Sequence, residues 1–171
     1  MPNPTFSKET LEKIERLKAR YPKENQKSAL IPVLHMAQSE LGGWLSTEVM
    51  DYVANILGLL PIEVYEVASF YTMFYLNPMG KVVFEVCRTG PCAIRGSEQI
   101  MQHISSKLGI KAGETTADGV FSLRGVECLA SCGTAPMMQV ADKYYENLDE
   151  AKVDQLIEEL REAAKAGYLR V

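Results

Sequence analysis

The 171-residue sequence has only four cysteines, two histidines and one tryptophan, and it has no long apolar run. The longest hydrophobic stretches, such as residues 56–61, are far too short to cross a bilayer as a helix, which takes about 20 apolar residues. Positive charge is not in excess: Lys and Arg number 18 against 22 Asp and Glu, and the formal net charge is -4. That balance argues against a nucleic-acid partner, which calls for basic stripes. No G-x-G-x-x-G follows a predicted strand and no P-loop is present, so the chain has no dinucleotide or nucleotide fingerprint of its own. The two histidines, His35 and His103, lie outside the cysteine pairs and read as structural or solvated side chains. The first residues, Met1 to Ser7, show neither the apolar core of an export signal nor the Arg-rich look of a transit peptide. Without an export signal the expected compartment is reducing, and a mature mitochondrial chain with its transit peptide removed fits that start as well. In such a reducing compartment paired cysteines read first as metal ligands or redox groups, not as disulfides.

What the sequence does contain is 47% hydrophobic and 23% charged, an ordinary globular mixture. It divides into two regions. Residues 1–79 read as a helical bundle. Ser7 caps a helix carrying Leu11, Ile14 and Leu17, which Tyr21-Pro22 ends. A second helix starts near Ser28 with Pro32 in its first turn, and Gly42-Gly43 closes it. Ser46 opens a third that Gly58 stops, and Pro61 opens a fourth running through Val64, Phe70 and Phe74. Short loops between four short helices predict an antiparallel bundle. The run Tyr65, Phe70, Tyr71, Phe74 and Tyr75 spans more than one helix face, so part of it is left over to meet a partner.

Asn77-Pro78-Met79-Gly80 is turn chemistry and marks the boundary with residues 80–171. There the pattern becomes a strand over 81–86, a helix from Ser97, strand pieces over 120–123 and 125–128, and a hairpin over 137–146. A last helix is capped by Asp149, with Leu148 and Val153 placed as a hydrophobic staple. The order β-α-β-β-β-α predicts an α/β layer of thioredoxin type with a mixed sheet of four or five strands. The whole chain is then an α+β or α/β protein.

All four cysteines fall in two tight pairs, Cys87-x4-Cys92 and Cys128-x3-Cys132, separated by 35 residues. Each pair lies where a strand becomes a loop, and α/β sheets gather such strand ends at one rim, where their ligand sites form. Four thiolates suit tetrahedral iron and zinc alike, and the spacing alone leaves both open. A C-x-x-C thiol oxidoreductase motif is absent, and the spacing differs from plant-type and bacterial ferredoxins. Gly90, Gly96, Gly125 and Gly133 flank the pairs and are expected to let amide N–H groups turn toward a bound anion. Arg88, Arg95 and Arg124 are candidate cations near such a centre, though each also reads as a solvated surface side chain.

The segments Val86-Cys87-Arg88-Thr89-Gly90-Pro91-Cys92 and Glu127-Cys128-Leu129-Ala130-Ser131-Cys132-Gly133-Thr134-Ala135-Pro136 resemble the small iron–sulfur subunit of the NADH-oxidising module of respiratory complex I. Residues 26–30, 43–45 and 64–71 look like that family's helical region, and 108–116 and 144–148 like its later part. The resemblance implies a thioredoxin-like domain with one [2Fe–2S] cluster on Cys87, Cys92, Cys128 and Cys132. It implies electron exchange with FMN on a flavoprotein subunit that also carries the NADH site. It also implies other peripheral-arm neighbours, and a place on the cytoplasmic side of a bacterial inner membrane or in the mitochondrial matrix. Related alternatives are the equivalent subunit of an NAD-linked hydrogenase or formate dehydrogenase and a free-standing [2Fe–2S] ferredoxin; a zinc-stapled structural protein is the alternative from another class. The chain departs from the family's pattern at Ala130, where glycine is frequent, and alanine there is expected in an ordinary helical or bridging conformation.

Overall fold

A computed structural model describes residues 4–165. The chain divides into two compact units, Met1–Pro78 and Met79–Val171.

The first unit contains α1 (Lys8–Lys18), α2 (Leu30–Glu40), α3 (Thr47–Leu57) and α4 (Pro61–Phe70), with a 3-10 helix over Lys23–Ala29. The caps are those expected: the hydroxyl of Ser7 accepts from Thr10 N–H, that of Ser46 from Val49 N–H, and Gly58 ends α3 at φ 65°. Ile14, Val33, Leu34, Ala37, Val53 and Val64 are fully buried and form one core, as their helical spacing requires. The edges differ from the sequence expectation in three places. Helix α1 stops at Lys18, three residues before Tyr21, and the 3-10 turn, not Ser28, leads into α2. Helix α4 stops at Phe70 and does not reach Phe74. A distant side chain decides that end. Gln38 donates to Met73 C=O at 3.1 Å and accepts from Tyr75 N–H at 2.7 Å, while Tyr75 C=O accepts from Leu45 N–H at 2.7 Å. Those bonds occupy the backbone groups that a continued helix would need. They fold Phe74 inward, 5.0 Å from the ring of His35, where it is 4% exposed. Burial holds His35 below the usual imidazole range, in keeping with a structural role.

In the second unit a four-stranded sheet has the order β2-β1-β3-β4. Strand β1 (Val82–Cys87) pairs parallel to β2 (Phe121–Val126) and antiparallel to β3 (Met138–Val140), which pairs antiparallel to β4 (Lys143–Tyr145). A single turn, α5 (Pro91–Ile94), precedes α6 (Ser97–Leu108), and α7 (Glu150–Lys165) closes the unit. The near-continuous burial of β1 is what a central strand covered on both faces requires. Phe84 and Phe121 stack at 5.5 Å, and Val153, Leu156, Ile157 and Leu160 of α7 join their core. Asp149 caps α7 by accepting from Lys152 N–H at 2.7 Å. The two strand pieces expected around Gly125 are one strand. A Cβ at Gly125 would lie 2.3 Å from Arg88 Cδ, so the glycine seats the arginine side chain and does not break the strand. On α7, Arg161 lies 4.7 Å over the Phe121 ring and pairs with Asp118 at 3.1 Å.

Candidate functional site

The parallel pair β1–β2 brings the two cysteine segments to one rim. Cys87 is the last residue of β1 and is in register with Val126, two residues before Cys128. Arg88 N–H donates to Val126 C=O at 3.0 Å and carries the pairing one step past the strand. Gly90 then turns the chain at φ 42°, Pro91 starts α5, and Cys92 falls inside that helical turn. Gly90 and Pro91 form the start signal of a helix too short for periodicity to reveal.

Burial separates the cysteines into two pairs. Cys87 and Cys92 are each 2% exposed and pack with Ala135, Met137 and the half-buried Leu129. Cys128 and Cys132 are exposed, and all four are free thiols. Cys87 and Cys92 are close enough to shift each other's ionisation, Cys128 shifts that of Cys132, and Cys132 is linked electrostatically to both Cys87 and Cys92. The arrangement is two linked pairs. Among the described residues no three His, Cys, Asp or Glu side chains surround one single-ion position.

Backbone donors converge on the sulfurs. Burial pushes the Cys87 thiol up, but N–H groups of Thr89 and Leu129 donate to it, and with bonds from Cys92 and the Thr89 side chain they hold it below the usual thiol range. Leu129 belongs to the second cysteine segment, so this bond ties the two loops together. Burial first, and then the bond to Cys87, push Cys92 up to about 11 against an opposing donor, Met137 N–H. The negative charge of Cys128 raises Cys132. Ala130 N–H points at Cys128 Sγ at 3.4 Å. Donors to the sulfurs therefore include Thr89, Leu129, Ala130 and Met137.

Ala130 itself corrects the sequence expectation. Its φ is 61°, the left-handed region, which costs an L-residue about 1 kcal/mol or more. The chain takes that conformation at the residue whose amide points at Cys128, and composition gives no sign of it. The expected cations are placed unevenly. Arg88 lies over Gly125 and pairs with Glu127 at 3.9 Å, while Thr89 donates to the same carboxylate at 3.3 Å. Arg124 pairs with Glu85 at 3.3 Å across β1 and β2. Arg95 lines a cleft of 290 Å³ beside Cys132 with Pro91, Ile94, Gly133 and Ala135, and Ile94 is 87% exposed at its lip.

The donor set fits a [2Fe–2S] cluster. Four thiolates with two bridging sulfides are net negative, and amide N–H dipoles in an apolar shell are what stabilise such a group. Thiols this crowded repel one another when ionised, so they need a cationic centre to ionise together.

A family model described as thioredoxin-like [2Fe-2S] ferredoxin matches residues 14–161. The E subunit of NADH-quinone oxidoreductase from Rickettsia prowazekii (strain Madrid E) is 48% identical over 154 residues, 90% of this chain and 87% of that one. The mitochondrial NADH dehydrogenase [ubiquinone] flavoprotein 2 of Dictyostelium discoideum is 47% identical over 156 residues, 91% of this chain and 63% of that one. Among solved structures, an NAD+-reducing [NiFe]-hydrogenase in the air-oxidized state superposes with a TM-score of 0.68 at 24% identity, over 79% of this chain and 23% of that one. That likeness speaks for the fold.

Proposed function

The chain belongs to the thioredoxin-like [2Fe–2S] ferredoxin family, and from that membership we propose that it is the electron-transfer subunit of an NADH:quinone oxidoreductase, with Cys87, Cys92, Cys128 and Cys132 as the ligands of its cluster. The observation that supports this most directly is the pairing of a desolvated Cys87–Cys92 pair with an exposed Cys128–Cys132 pair at one rim of the sheet, tied by Leu129 N–H to Cys87. When bound, the cluster supplies a one-electron carrier beside chemistry that begins with a two-electron hydride transfer. The protein does the rest. Cys87 and Cys92 hold the inner side in an apolar shell of Ala135 and Met137 that excludes water. Thr89, Leu129, Ala130 and Met137 direct amide dipoles at the sulfurs, which favours added negative charge and raises the potential. Cys128 and Cys132 leave the outer side open, as exchange with another protein requires.

The chain supplies no dinucleotide fingerprint, so NADH and FMN fall to a flavoprotein subunit as its partner. Phe70, 77% exposed and edge-on to the exposed Tyr71 at 5.0 Å, offers apolar surface in the first unit for such a neighbour. Among the described residues no helix is long and apolar enough to cross a membrane. The chain's place in a membrane-associated complex is then in the peripheral arm, on the cytoplasmic face of a bacterial inner membrane or, in a mitochondrion, on the matrix side. The NADH-quinone oxidoreductase relatives, at up to 48% identity, favour the quinone-linked complex over a hydrogenase, whose likeness extends to the fold alone.

The test is anaerobic purification with visible absorption, EPR and iron and sulfide analysis, oxidised and dithionite-reduced. A red-brown chain that bleaches, shows a half-integer-spin signal on reduction and holds equal iron and sulfide is expected. Serine at any of the four cysteines should alter or remove that spectrum. A colourless chain that keeps zinc refutes the proposal.

A further inference from the structure

Cys128 and Cys132 are themselves exposed, and beside the half-buried Leu129 their loop is held by bonds. Two sets of bonds do this, and both come from the residues between β4 and α7. The backbone of that segment lies along the loop: Asn147 N–H donates to Thr134 C=O at 2.7 Å and Leu148 N–H to Pro136 C=O at 2.9 Å. Leu148 is buried in the core, and Lys152 Nζ donates to Glu146 C=O at 2.5 Å, so the segment is itself anchored.

The second set is the side chain of Glu146. Its Oε1 accepts from Ser131 Oγ at 2.5 Å and from Thr134 Oγ1 at 2.6 Å, and the two hydroxyl oxygens lie 2.8 Å apart. Ser131 and Thr134 bracket Cys132. The bond from Ser131, and then that from Thr134, hold the Glu146 carboxyl below its usual range, which keeps it an acceptor at neutral pH. Immediately before Ser131 stands Ala130, left-handed at φ 61°, with its N–H on Cys128 Sγ. A non-glycine residue stays left-handed only where its surroundings over-determine it.

We propose that Glu146 is a positioning residue for the exposed cysteine pair: by gripping Ser131 and Thr134 it keeps Ala130 left-handed, Ala130 N–H on Cys128, and the loop in the shape a ligand pair needs. The residue acts through the two hydroxyls. The spectroscopic consequence rests on the ligand assignment above; the mechanical one does not.

Three full-length variants test it: Glu146→Ala, Glu146→Gln, and Glu146→Ala combined with Ala130→Gly. In the metal-free chain, amide hydrogen exchange over residues 130–134 should quicken about tenfold in Glu146→Ala, the scale of losing hydrogen bonds to a charged acceptor. It should stay within about threefold of the parent in Glu146→Gln, which keeps the acceptor oxygen. The double variant should recover much of the loss, because glycine holds the turn without the clamp. In the loaded chain, Glu146→Ala should release its iron to a chelator about tenfold faster and change its EPR line shape, and Glu146→Gln should do neither. Unchanged exchange at 130–134 in Glu146→Ala overturns the proposal, and so does faster exchange spread evenly over the second unit. If the exchange results hold while the parent chain takes up no iron and sulfide, the ligand assignment has failed and the clamp stands.

Discussion

Ala130→Gly should make this protein more stable, although alanine to glycine ordinarily does the opposite. Ala130 sits at φ 61°, where the Cβ of an L-residue crowds the following carbonyl at a cost of about 1–2 kcal/mol. Its side chain is exposed, so removing the methyl gives up no burial. Against the relief stands the extra freedom of glycine in the unfolded chain, about 0.5–1 kcal/mol. The difference leaves a gain of about 0.5–1 kcal/mol. For a folding unit of this size about 1 kcal/mol moves Tm by about 4–8 °C, so the second unit should melt roughly 2–8 °C higher. Thermal unfolding of the metal-free chain, followed by circular dichroism, measures it. Ala141→Gly is the control: Ala141 is also left-handed, at φ 55°, but lies in the β3–β4 turn away from the cysteines. A rise for Ala141→Gly with a fall for Ala130→Gly would show that residue 130 is not strained as described.

Gly80→Ala should destabilise by about 2 kcal/mol in urea unfolding, because its Cβ would meet backbone, Phe121 C at 2.7 Å and Val120 O at 2.8 Å, and would press on the bond from Gly80 N–H to Ser122 Oγ; a loss below about 0.5 kcal/mol refutes the packing argument. Asp154 should contribute at neutral pH and lose that contribution in acid: the bond from Lys107, and then that from His103, hold its carboxyl below the usual range. A depressed folded-state value gives stability that is present above the unfolded pKa of about 3.9 and lost as pH falls through the folded one. Urea midpoints between pH 7 and pH 2 should therefore fall less steeply for Asp154→Asn, and equal slopes would exclude this contribution. Phe70→Ser should weaken co-purification with a flavoprotein subunit while leaving the unfolding curve unchanged, since the ring is exposed and contributes little to the core; undiminished co-purification would place the contact elsewhere.

The parts of the fold that read directly from the sequence are those fixed by neighbours in the chain. Ser7, Ser46 and Asp149 cap helices because an N-cap bonds an amide within three residues, and Gly58 ends α3 because only glycine is at ease left-handed. The parts that did not read are fixed across the chain. Nothing near Tyr71 signals the end of α4; Gln38, 35 residues from Met73, takes the backbone groups that continue past it. Gly125 looks like a strand breaker until Arg88 is seen lying over it. The four cysteines were legible as two pairs at strand ends. The amides of Leu129 and Met137 that reach across to Cys87 and Cys92 were not, since a backbone donor carries no residue type. Glu146 was invisible for the same reason of distance: its partner Ser131 is 15 residues away and in another element.

The two cysteine pairs are built by different means, and the difference explains why alanine is tolerated at position 130. Cys87 and Cys92 are positioned by β1 and α5, with the sheet ladder on one side and an apolar shell on the other, so moving either one means breaking the core. Cys128 and Cys132 stand on an exposed loop that sends the half-buried Leu129 inward and leaves Ala130 and the two cysteines in solvent. A left-handed alanine in such a loop would ordinarily relax. Its cost, about 1 kcal/mol, is a small fraction of the roughly 5–15 kcal/mol that holds a domain together, so any local set of bonds that survives in water can outweigh it. The bonds are present: two hydroxyls on one carboxylate oxygen, and two backbone bonds from a segment anchored by Leu148. The conformation of residue 130 is thus decided by the residues that follow β4 and not by its own preference. Glycine is then the easier residue there and not a required one, and a chain with alanine keeps the same geometry around Cys128 at a modest loss of stability.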